Sequence, residues 1–236
     1  MFSFETYREL LKTLKNDFIF TFFEDYSQKK RIFLRHDVDI FIENVLNMAT
    51  IENELDIRST YFLQPNCEFY NILSNSTMKI INSITDLGHK IGLHIDASNI
   101  SSKEELESHI NGMFDFFSKY LPLSKVVSFH KPSPFVMIDM TLPGFINVYE
   151  KKYFKDIRYF SDSKRRNFLS TLMKSLENDK DTSIQLLIHP YWWDYISMDI
   201  WEAWERYKRV KLISLRKSLK DFEPYRKLFD YRFKGE

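Results

Sequence analysis

Short apolar runs alternate with longer amphipathic stretches over most of this chain. The apolar runs predict buried strands, and the stretches with apolar residues at i, i+3 and i+4 predict helices with one buried face. The predicted strands lie at residues 31–36, 59–63, 91–94, 126–130, 145–149, 158–160 and 184–189. The predicted helices lie at residues 3–15, 41–55, 68–86, 163–177 and 198–219, with one more that begins at Ser101 or Ser102 and ends at Tyr120. This alternation indicates a parallel sheet, either a closed or nearly closed barrel or, as the alternative, an open doubly wound sheet.

Ionisable side chains stand at the ends of four predicted strands. Asp37 and Asp39 follow the first strand, and His94, His130 and His189 end three others. In a parallel barrel the carboxyl ends of the strands meet at one face, where barrel active sites lie. Packing does not explain this convergence of carboxylates and imidazoles, so the pattern predicts an enzyme with a metal or acid–base site.

The two aspartates are spaced so that they can act together. Asp37 and Asp39 lie two residues apart, so on an extended strand both side chains point the same way. One could ligate a metal ion while the other takes a proton from water. The alternative is structural, because aspartates also cap the helix after a strand or pair with a cation such as Arg35.

Each histidine has a functional and a structural interpretation. A neutral imidazole at His94 beside carboxylates suits zinc or a similar divalent ion, whereas a lone buried histidine belongs more often to the core. His130 and His189 could act as general acids, with an ordinary pKa of about 6.5, or donate structural hydrogen bonds at the barrel mouth. Asp162 follows a strand, where it could hold an imidazole in one tautomer or cap the next helix.

Candidate substrate contacts follow two of these strands. Tyr191, Trp192 and Trp193 come directly after the last predicted strand, where they could stack on a sugar ring or close the barrel as an apolar lid. Lys131 follows another strand and could meet a phosphate group of the substrate.

Composition excludes several classes of protein. The chain has 236 residues and is predicted to form one domain, 1–236, with its motifs at 31–193 and a helical C-terminal part at about 198–230. The formal net charge of +1 favours neither nucleic acid nor an anionic membrane. The single cysteine, Cys67, excludes an internal disulfide and fits a reducing compartment. With no signal peptide and no apolar run long enough to span a bilayer, a cytoplasmic protein is expected; the oligomeric state stays open.

The order of these motifs resembles that of the polysaccharide deacetylase superfamily, the carbohydrate esterase type of metal-dependent deacetylases. Residues 35–39, Arg-His-Asp-Val-Asp, resemble the first motif, which holds a catalytic base and a metal ligand, with one residue inserted between the acids. Residues 88–94, Gly-His-Lys-Ile-Gly-Leu-His, resemble the second motif, whose metal histidine falls on His94. Residues 187–189, Leu-Ile-His, resemble the fifth motif, which ends on the general acid, and Asp162 resembles the aspartate of the fourth.

Two positions depart from the pattern of the family. The family's second metal histidine lies four residues after the first, and that position holds Ser98 here. The arginine of the third motif, Arg-x-Pro, falls on His130. We hypothesise that the two changes are linked and that His130 supplies the ligand lost at Ser98.

The resemblance implies a distorted, incomplete (β/α) barrel of seven strands. It also implies a hydrolase of carbon–nitrogen bonds that removes an acyl group from an N-acylated sugar, in a glycan or a glycan precursor. The implied residues are Asp37 as base, His189 as general acid with Asp162 as its partner, Asp39, His94 and His130 as ligands of a divalent ion, expected to be Zn²⁺, and Lys131, Trp192 and Trp193 as substrate contacts. The alternatives are a non-catalytic carbohydrate-binding relative with the same barrel and an amidohydrolase that acts on a non-sugar bond.

Overall fold

The computed structural model of the protein describes residues 2–40, 42–132, 139–220 and 222–227. The helices are α1 (Phe4–Lys15), α2 (Val45–Glu54), α3 (Asn75–Asp86), α4 (Lys103–Phe117), α5 (Lys151–Phe154), α6 (Phe168–Asn178) and α7 (Ile200–Lys220). The strands are β1 (Ile19–Phe20), β2 (Arg31–Val38), β3 (Thr60–Leu63), β4 (Lys90–Asp96), β5 (Leu123–His130), β6 (Ile146–Asn147), β7 (Arg158–Ser161) and β8 (Ile184–Ile188). Short 3₁₀ turns lie at Phe23–Asp25 and Pro190–Trp192.

The strands form one parallel sheet in the order β6-β5-β4-β3-β2-β8-β7, and β1 pairs with the first residues of β2. The last two strands return to the side of β2 that β3 leaves open, which is the circular order of a barrel and not that of a doubly wound sheet. Within the described residues no strand pair joins β6 to β7, so the seven-stranded path curls without closing. The prediction of an incomplete (β/α) barrel is confirmed.

The strand β2 separates two buried layers. Ile32 and Leu34 pack in one apolar cluster with residues of α1 and α6, while Phe33 packs in a different cluster with residues of β3, β4 and β5. Because side chains alternate across a strand, Arg35 and Asp37 point to the same face as Phe33, the inside of the barrel. The barrel interior therefore contains a charged pair as well as apolar side chains.

The observed elements differ from the predicted ones mainly at their ends. β2 runs on to Val38, two residues beyond the predicted end, because its last residues pair with β3. α3 begins at Asn75 and not at residue 68, because the hydroxyl of Ser74 caps this helix by accepting a backbone hydrogen bond. Residue 41 of the predicted second helix lies outside the described residues.

The chain divides into two compact units, Phe2–Tyr195 and a second that begins at Ile196. The first contains the barrel. The second contains α7, a helix of 21 residues, none of whose side chains is buried. Residues 221 and 228–230 of the predicted C-terminal segment lie outside the described residues. Among the helices that the structure describes, none is both long and apolar enough to cross a membrane.

A fully buried carboxylate lies on the helix side of β2. Glu52, on α2, accepts hydrogen bonds from the hydroxyls of Tyr7 (2.6 Å), Tyr61 (2.9 Å) and Ser59 (2.5 Å), and its Oε1 lies 2.8 Å from Nε2 of His36. Burial by itself would raise the pKa of Glu52, but the imidazole of His36 and the hydrogen bonds lower it to about 2. One ionised group thus ties α1, α2, β2 and β3 together.

We expect the Glu52 cluster to make stability depend on pH in the acid range. The pKa of Glu52 is lower in the folded protein than in the unfolded chain, so its stabilisation is present above about pH 4.5 and is lost as the pH falls towards 2. The free energy of unfolding of wild type minus that of Glu52→Gln should fall by about 3 kcal/mol between roughly pH 6 and pH 2. Urea denaturation across this pH range measures the difference, and Glu68→Gln, at an exposed loop position, should show no such trend.

We also expect Gly92 to tolerate no side chain. A Cβ at this position of β4 would lie 2.6 Å from the ring of Phe62 and 2.7 Å from the carbonyl oxygen of Val126. Gly92→Ala should lower the free energy of unfolding by about 1–3 kcal/mol, because the neighbouring strands must move apart. Gly112→Ala is the matched control: it lies on α4 with no atom in the way, and there alanine should stabilise the protein by roughly 0.5–1 kcal/mol. Equal stability of the two variants would contradict this account.

Candidate metal and acid–base site

The three predicted metal ligands lie side by side at one end of the barrel. Asp39 follows β2, His94 lies near the end of β4, and His130 ends β5. Oδ1 of Asp39 lies 3.2 Å from Nε2 of His94 and 3.3 Å from Nδ1 of His130. The ligand atoms of all three side chains lie within 4.8 Å of one another. The structure thus brings His130 beside the other two residues, as the sequence hypothesis requires.

One carboxylate oxygen of Asp39, Oδ1, has no hydrogen-bond partner among the described residues. Oδ1 is buried, and the imidazoles of His94 and His130, although close, are not aligned to donate to it. Burial by itself would raise the pKa of Asp39, yet the contacts with His130 and His94 lower it well below its usual value. A buried, ionised oxygen that faces two imidazole nitrogens suits a cation, and one carboxylate with two imidazoles is a ligand set that Zn²⁺ accepts.

A hydrogen-bond chain determines which nitrogen of His94 is free. Oγ of Ser128 donates to Oδ1 of Asp37 at 3.4 Å, so its lone pairs accept the hydrogen bond from Nδ1 of His94 at 2.6 Å. With the proton on Nδ1, Nε2 keeps its lone pair and faces Asp39. This tautomer is the one that a metal site at Asp39 needs, because a ligating imidazole donates its other N–H to a neighbouring group.

Asp37 forms a two-point ion pair with Arg35 inside the barrel. Nε of Arg35 donates to Oδ1 at 2.7 Å and its Nη2 donates to Oδ2 at 2.6 Å, with both side chains buried. The guanidinium also donates to Oε1 of Gln185 at 3.2 Å and to the hydroxyl of Tyr149 at 3.1 Å. Burial would raise the pKa of Asp37, but Arg35 and then His94 lower it. Asp37 is therefore an ionised carboxylate, and its Oδ2 lies 3.7 Å from Nε2 of His94.

His189 is held by a buried carboxylate at the end of β8. Nδ1 of His189 donates to Oδ1 of Asp162 at 2.6 Å, and its backbone N–H donates to both oxygens of Asp162 at 3.1 Å. Nε1 of Trp193 donates to Oδ2 of Asp162 at 2.9 Å. Nε2 of His189 lies 3.8 Å from Oδ2 of Asp39, on the side of the candidate metal ligands. Burial would lower the pKa of His189, but the charge and hydrogen bond of Asp162 raise it, which favours the imidazolium.

The exposure of the two indoles contradicts the expectation that they stack on a sugar. Trp192 is 8% exposed and Trp193 is fully buried, and both belong to the core cluster that includes α1 and α6. The guanidinium of Arg165 lies 5.0 Å over the Trp192 ring and 4.7 Å over that of Phe2. Both indoles are large and mostly apolar, so burying them in the core is more favourable than leaving them exposed at the mouth of the barrel. Trp193 instead orients Asp162.

Three other predicted positions lie near the ends of the strands. Lys131 directly follows β5, is exposed and has a left-handed backbone with φ of 49°. Ser98 is exposed, and its backbone N–H donates to Oδ1 of Asp96. Tyr191 is partly buried, and its ring centroid lies 5.5 Å from that of His189.

The sequence analysis missed three residues that form hydrogen bonds within the site: Ser128, Tyr149 and Gln185. For two of them the sequence pattern indicates a buried polar role. Ser128 lies two residues before His130 and so shares its face of the strand, and Gln185 is a lone amide in an apolar run, where a buried partner is required. Tyr149 follows the short β6 and has no such signal, because only the folded chain brings it to Arg35.

The chain is similar to solved structures of carbohydrate esterases. No protein-family model matches the sequence, and no curated protein sequence matches it either. A chitin deacetylase from the fungal pathogen Colletotrichum lindemuthianum is 18% identical over 70% of this chain and 75% of its own, with a TM-score of 0.48. A family 4 carbohydrate esterase from Bacillus anthracis is 15% identical over 89% of this chain and 86% of its own, with a TM-score of 0.40.

A pseudoenzyme of the same esterase family is also similar. This Bacillus anthracis protein is 14% identical over 83% of this chain and 66% of its own, with a TM-score of 0.44. The similar structures are thus esterases and deacetylases of the kind that the sequence motifs resemble.

We expect Ser128 to control metal affinity through His94. Ser128→Ala removes the acceptor that holds the Nδ1 proton, so affinity for Zn²⁺ should fall about 10- to 100-fold, and His130→Ala should lower it at least as far. Ser98→Ala is the matched control and should leave the affinity unchanged, because this serine is exposed and its hydrogen bond to Asp96 is made by its backbone N–H. Competition with a chromophoric chelator measures all three. Full affinity in His130→Ala would show that this histidine is not a ligand.

Proposed function

We propose that the protein is a metal-dependent hydrolase that removes an acyl group from an N-acylated sugar. One observation carries the proposal: the Asp39, His94 and His130 cluster has an ionised aspartate, Asp37, beside His94 and an imidazole, His189, beside Asp39, and the other nitrogen of that imidazole is held by a carboxylate. A divalent-ion site with both a base and an acid beside it is the arrangement that hydrolysis of an amide needs.

The three clustered side chains would hold the ion. They offer one carboxylate oxygen and two imidazole nitrogens, and three protein ligands leave a position open, as in catalytic zinc sites. When bound, the ion would polarise the acyl carbonyl and lower the pKa of a water molecule. We propose Zn²⁺ as the ion because of the two imidazoles.

Asp37 is the proposed base. Oδ1 accepts from Arg35 and Ser128, whereas Oδ2 accepts from Arg35 and keeps a lone pair, so Oδ2, beside His94, can take the proton of the attacking water. Arg35 fixes the direction of the carboxylate, because two parallel hydrogen bonds leave it no rotation. The ion pair of Arg35 and Asp37, for which the sequence left a purely structural role open, therefore also orients the proposed base.

His189 is the proposed acid. Its Nδ1 proton is committed to Asp162, so the proton that can move is on Nε2, which faces the same side as Asp39. The raised pKa of His189 keeps that proton in place until the amine leaves. Once the proton has moved, the neutral imidazole is still held in one tautomer by Asp162.

Tyr191 and Lys131 are the proposed substrate contacts. With both indoles in the core, Tyr191 is the aromatic ring beside His189 that can face a sugar. Lys131, exposed after β5, could meet a phosphate of a glycan precursor. The single cysteine, Cys67, carries no disulfide, which fits the proposal of a cytoplasmic enzyme that acts on such a precursor.

The metal content of purified protein is the first test. Inductively coupled plasma mass spectrometry should find about one equivalent of zinc or another transition metal in wild type and in Asp37→Asn, and almost none in His94→Ala. No metal in wild type, even after incubation with divalent ions, would favour the alternative of a non-catalytic carbohydrate-binding relative. That alternative is supported by Ser98, which stands where the family has its second metal histidine.

Deacetylation of N-acetylated sugars and sugar nucleotides is the second test. Asp37→Asn should lose at least about 10²- to 10⁴-fold in kcat, since it keeps the shape but not the basicity of the carboxylate. Asp115→Asn, at an exposed position of α4, is the matched control and should retain full activity. Substantial turnover by Asp37→Asn would exclude its role as base.

A further inference from the structure

Helix α7 concentrates positive charge. Its 21 residues contain seven lysines and arginines and two glutamates, a formal charge of +5, whereas the whole chain carries +1. The rest of the chain is therefore net negative, and the charge of this helix is hidden in the average. The cations are Arg206, Lys208, Arg209, Lys211, Arg216, Lys217 and Lys220.

The same helix exposes a stripe of apolar side chains. At 100° per residue, Trp201, Leu212, Leu215 and Leu219 fall within an arc of about 60°. Lys208 falls in the same arc, so the uninterrupted apolar part is Leu212, Leu215 and Leu219. Three of the four apolar side chains are strongly exposed, at 76% for Trp201, 48% for Leu212 and 55% for Leu215. A stripe of this kind, with a tryptophan near one end of the helix, is unusual on a surface that meets only water.

The cations flank this stripe on both sides. By the same helical geometry Arg209 and Arg216 lie at one edge, and Lys211 lies at the other. Long basic side chains at such positions can lay their aliphatic stems along an apolar surface while their charged ends reach outward. Around Leu212, Leu215 and Leu219 the helix therefore offers apolar groups with cations on either side, and Lys208 lies in line with them one turn before Leu212.

A bilayer with anionic lipids complements this arrangement. Leucine and tryptophan side chains can enter the boundary between headgroups and acyl chains, while lysine and arginine meet the lipid phosphates. A symmetric contact with α7 of a second copy complements it less well, because that helix would bring a second charge of +5 against the first.

We propose that α7 binds the surface of membranes rich in anionic lipid and lies in the plane of the interface, with Trp201, Leu212 and Leu215 inserted. The proposal rests on residues of α7, none of which is a proposed catalytic group, and does not depend on the proposed function. It assigns a partner that the net charge of the whole chain does not indicate.

Vesicle co-sedimentation of the full chain tests the proposal. We expect binding to vesicles of phosphatidylcholine mixed with phosphatidylglycerol to be at least about tenfold stronger than binding to phosphatidylcholine alone, and to weaken as salt is raised. Leu212→Ser combined with Leu215→Ser, and Arg209→Gln combined with Arg216→Gln, should each weaken binding about tenfold or more.

Matched controls come from the barrel unit. Phe116→Ser replaces an apolar side chain that is as exposed as Leu212, and Lys119→Gln combined with Lys174→Gln removes two exposed cations. Both controls should bind like wild type, and far-ultraviolet circular dichroism checks that every variant stays folded.

Two outcomes would overturn the proposal. One is equal binding to neutral and anionic vesicles, or binding that neither α7 double variant changes. The other is no vesicle binding together with a dimer in light scattering that Leu212→Ser with Leu215→Ser makes monomeric. That second result would assign the stripe to a second copy of the chain.

Discussion

The ion pair between Arg35 and Asp37 is the interaction on which the rest of the site depends. Both charges are buried inside the barrel, where a single partner left alone would cost about 3–5 kcal/mol. The pair is stable there because the guanidinium finds further acceptors in Gln185 and Tyr149. Nε2 of Gln185 in turn donates to the carbonyl oxygens of Val148 and Tyr153, so β8 and the chain after β6 are joined through the centre of an open barrel.

The proposed acid depends on the apolar core in a similar way. Asp162 receives hydrogen bonds from His189 and from the indole of Trp193, and that indole is packed against Phe2 and Tyr7. The position of the imidazole is therefore set by hydrophobic packing as much as by charge. Trp193, expected to touch the substrate, instead positions Asp162, the partner of the proposed acid.

Much of the fold could be predicted because its pattern is local. The apolar runs gave the strands, and the polar residues at their ends met as parallel strands require, including His130 beside Asp39 and His94. The indoles could not be assigned in the same way, since the sequence shows that aromatic residues follow His189 but not which side of the sheet they join. The Gln185 and Tyr149 contacts were missed because both join segments far apart in the chain. The net charge of +1 was also a poor guide to local charge, because it adds the positive helix α7 to a net negative remainder.

The two faces of β2 also decide how that strand can align. Arg35 and Asp37 bond to partners inside the barrel, and His36, between them, contacts Glu52 on the helix side. A slip of one residue exchanges the faces of every side chain in a strand. Here such a slip would leave Glu52 without its imidazole and move an arginine into an apolar layer, so buried polar groups exclude the wrong register from both sides. The alignment that places Asp39 is therefore specified by the folding of the chain itself, before any ion or substrate is present.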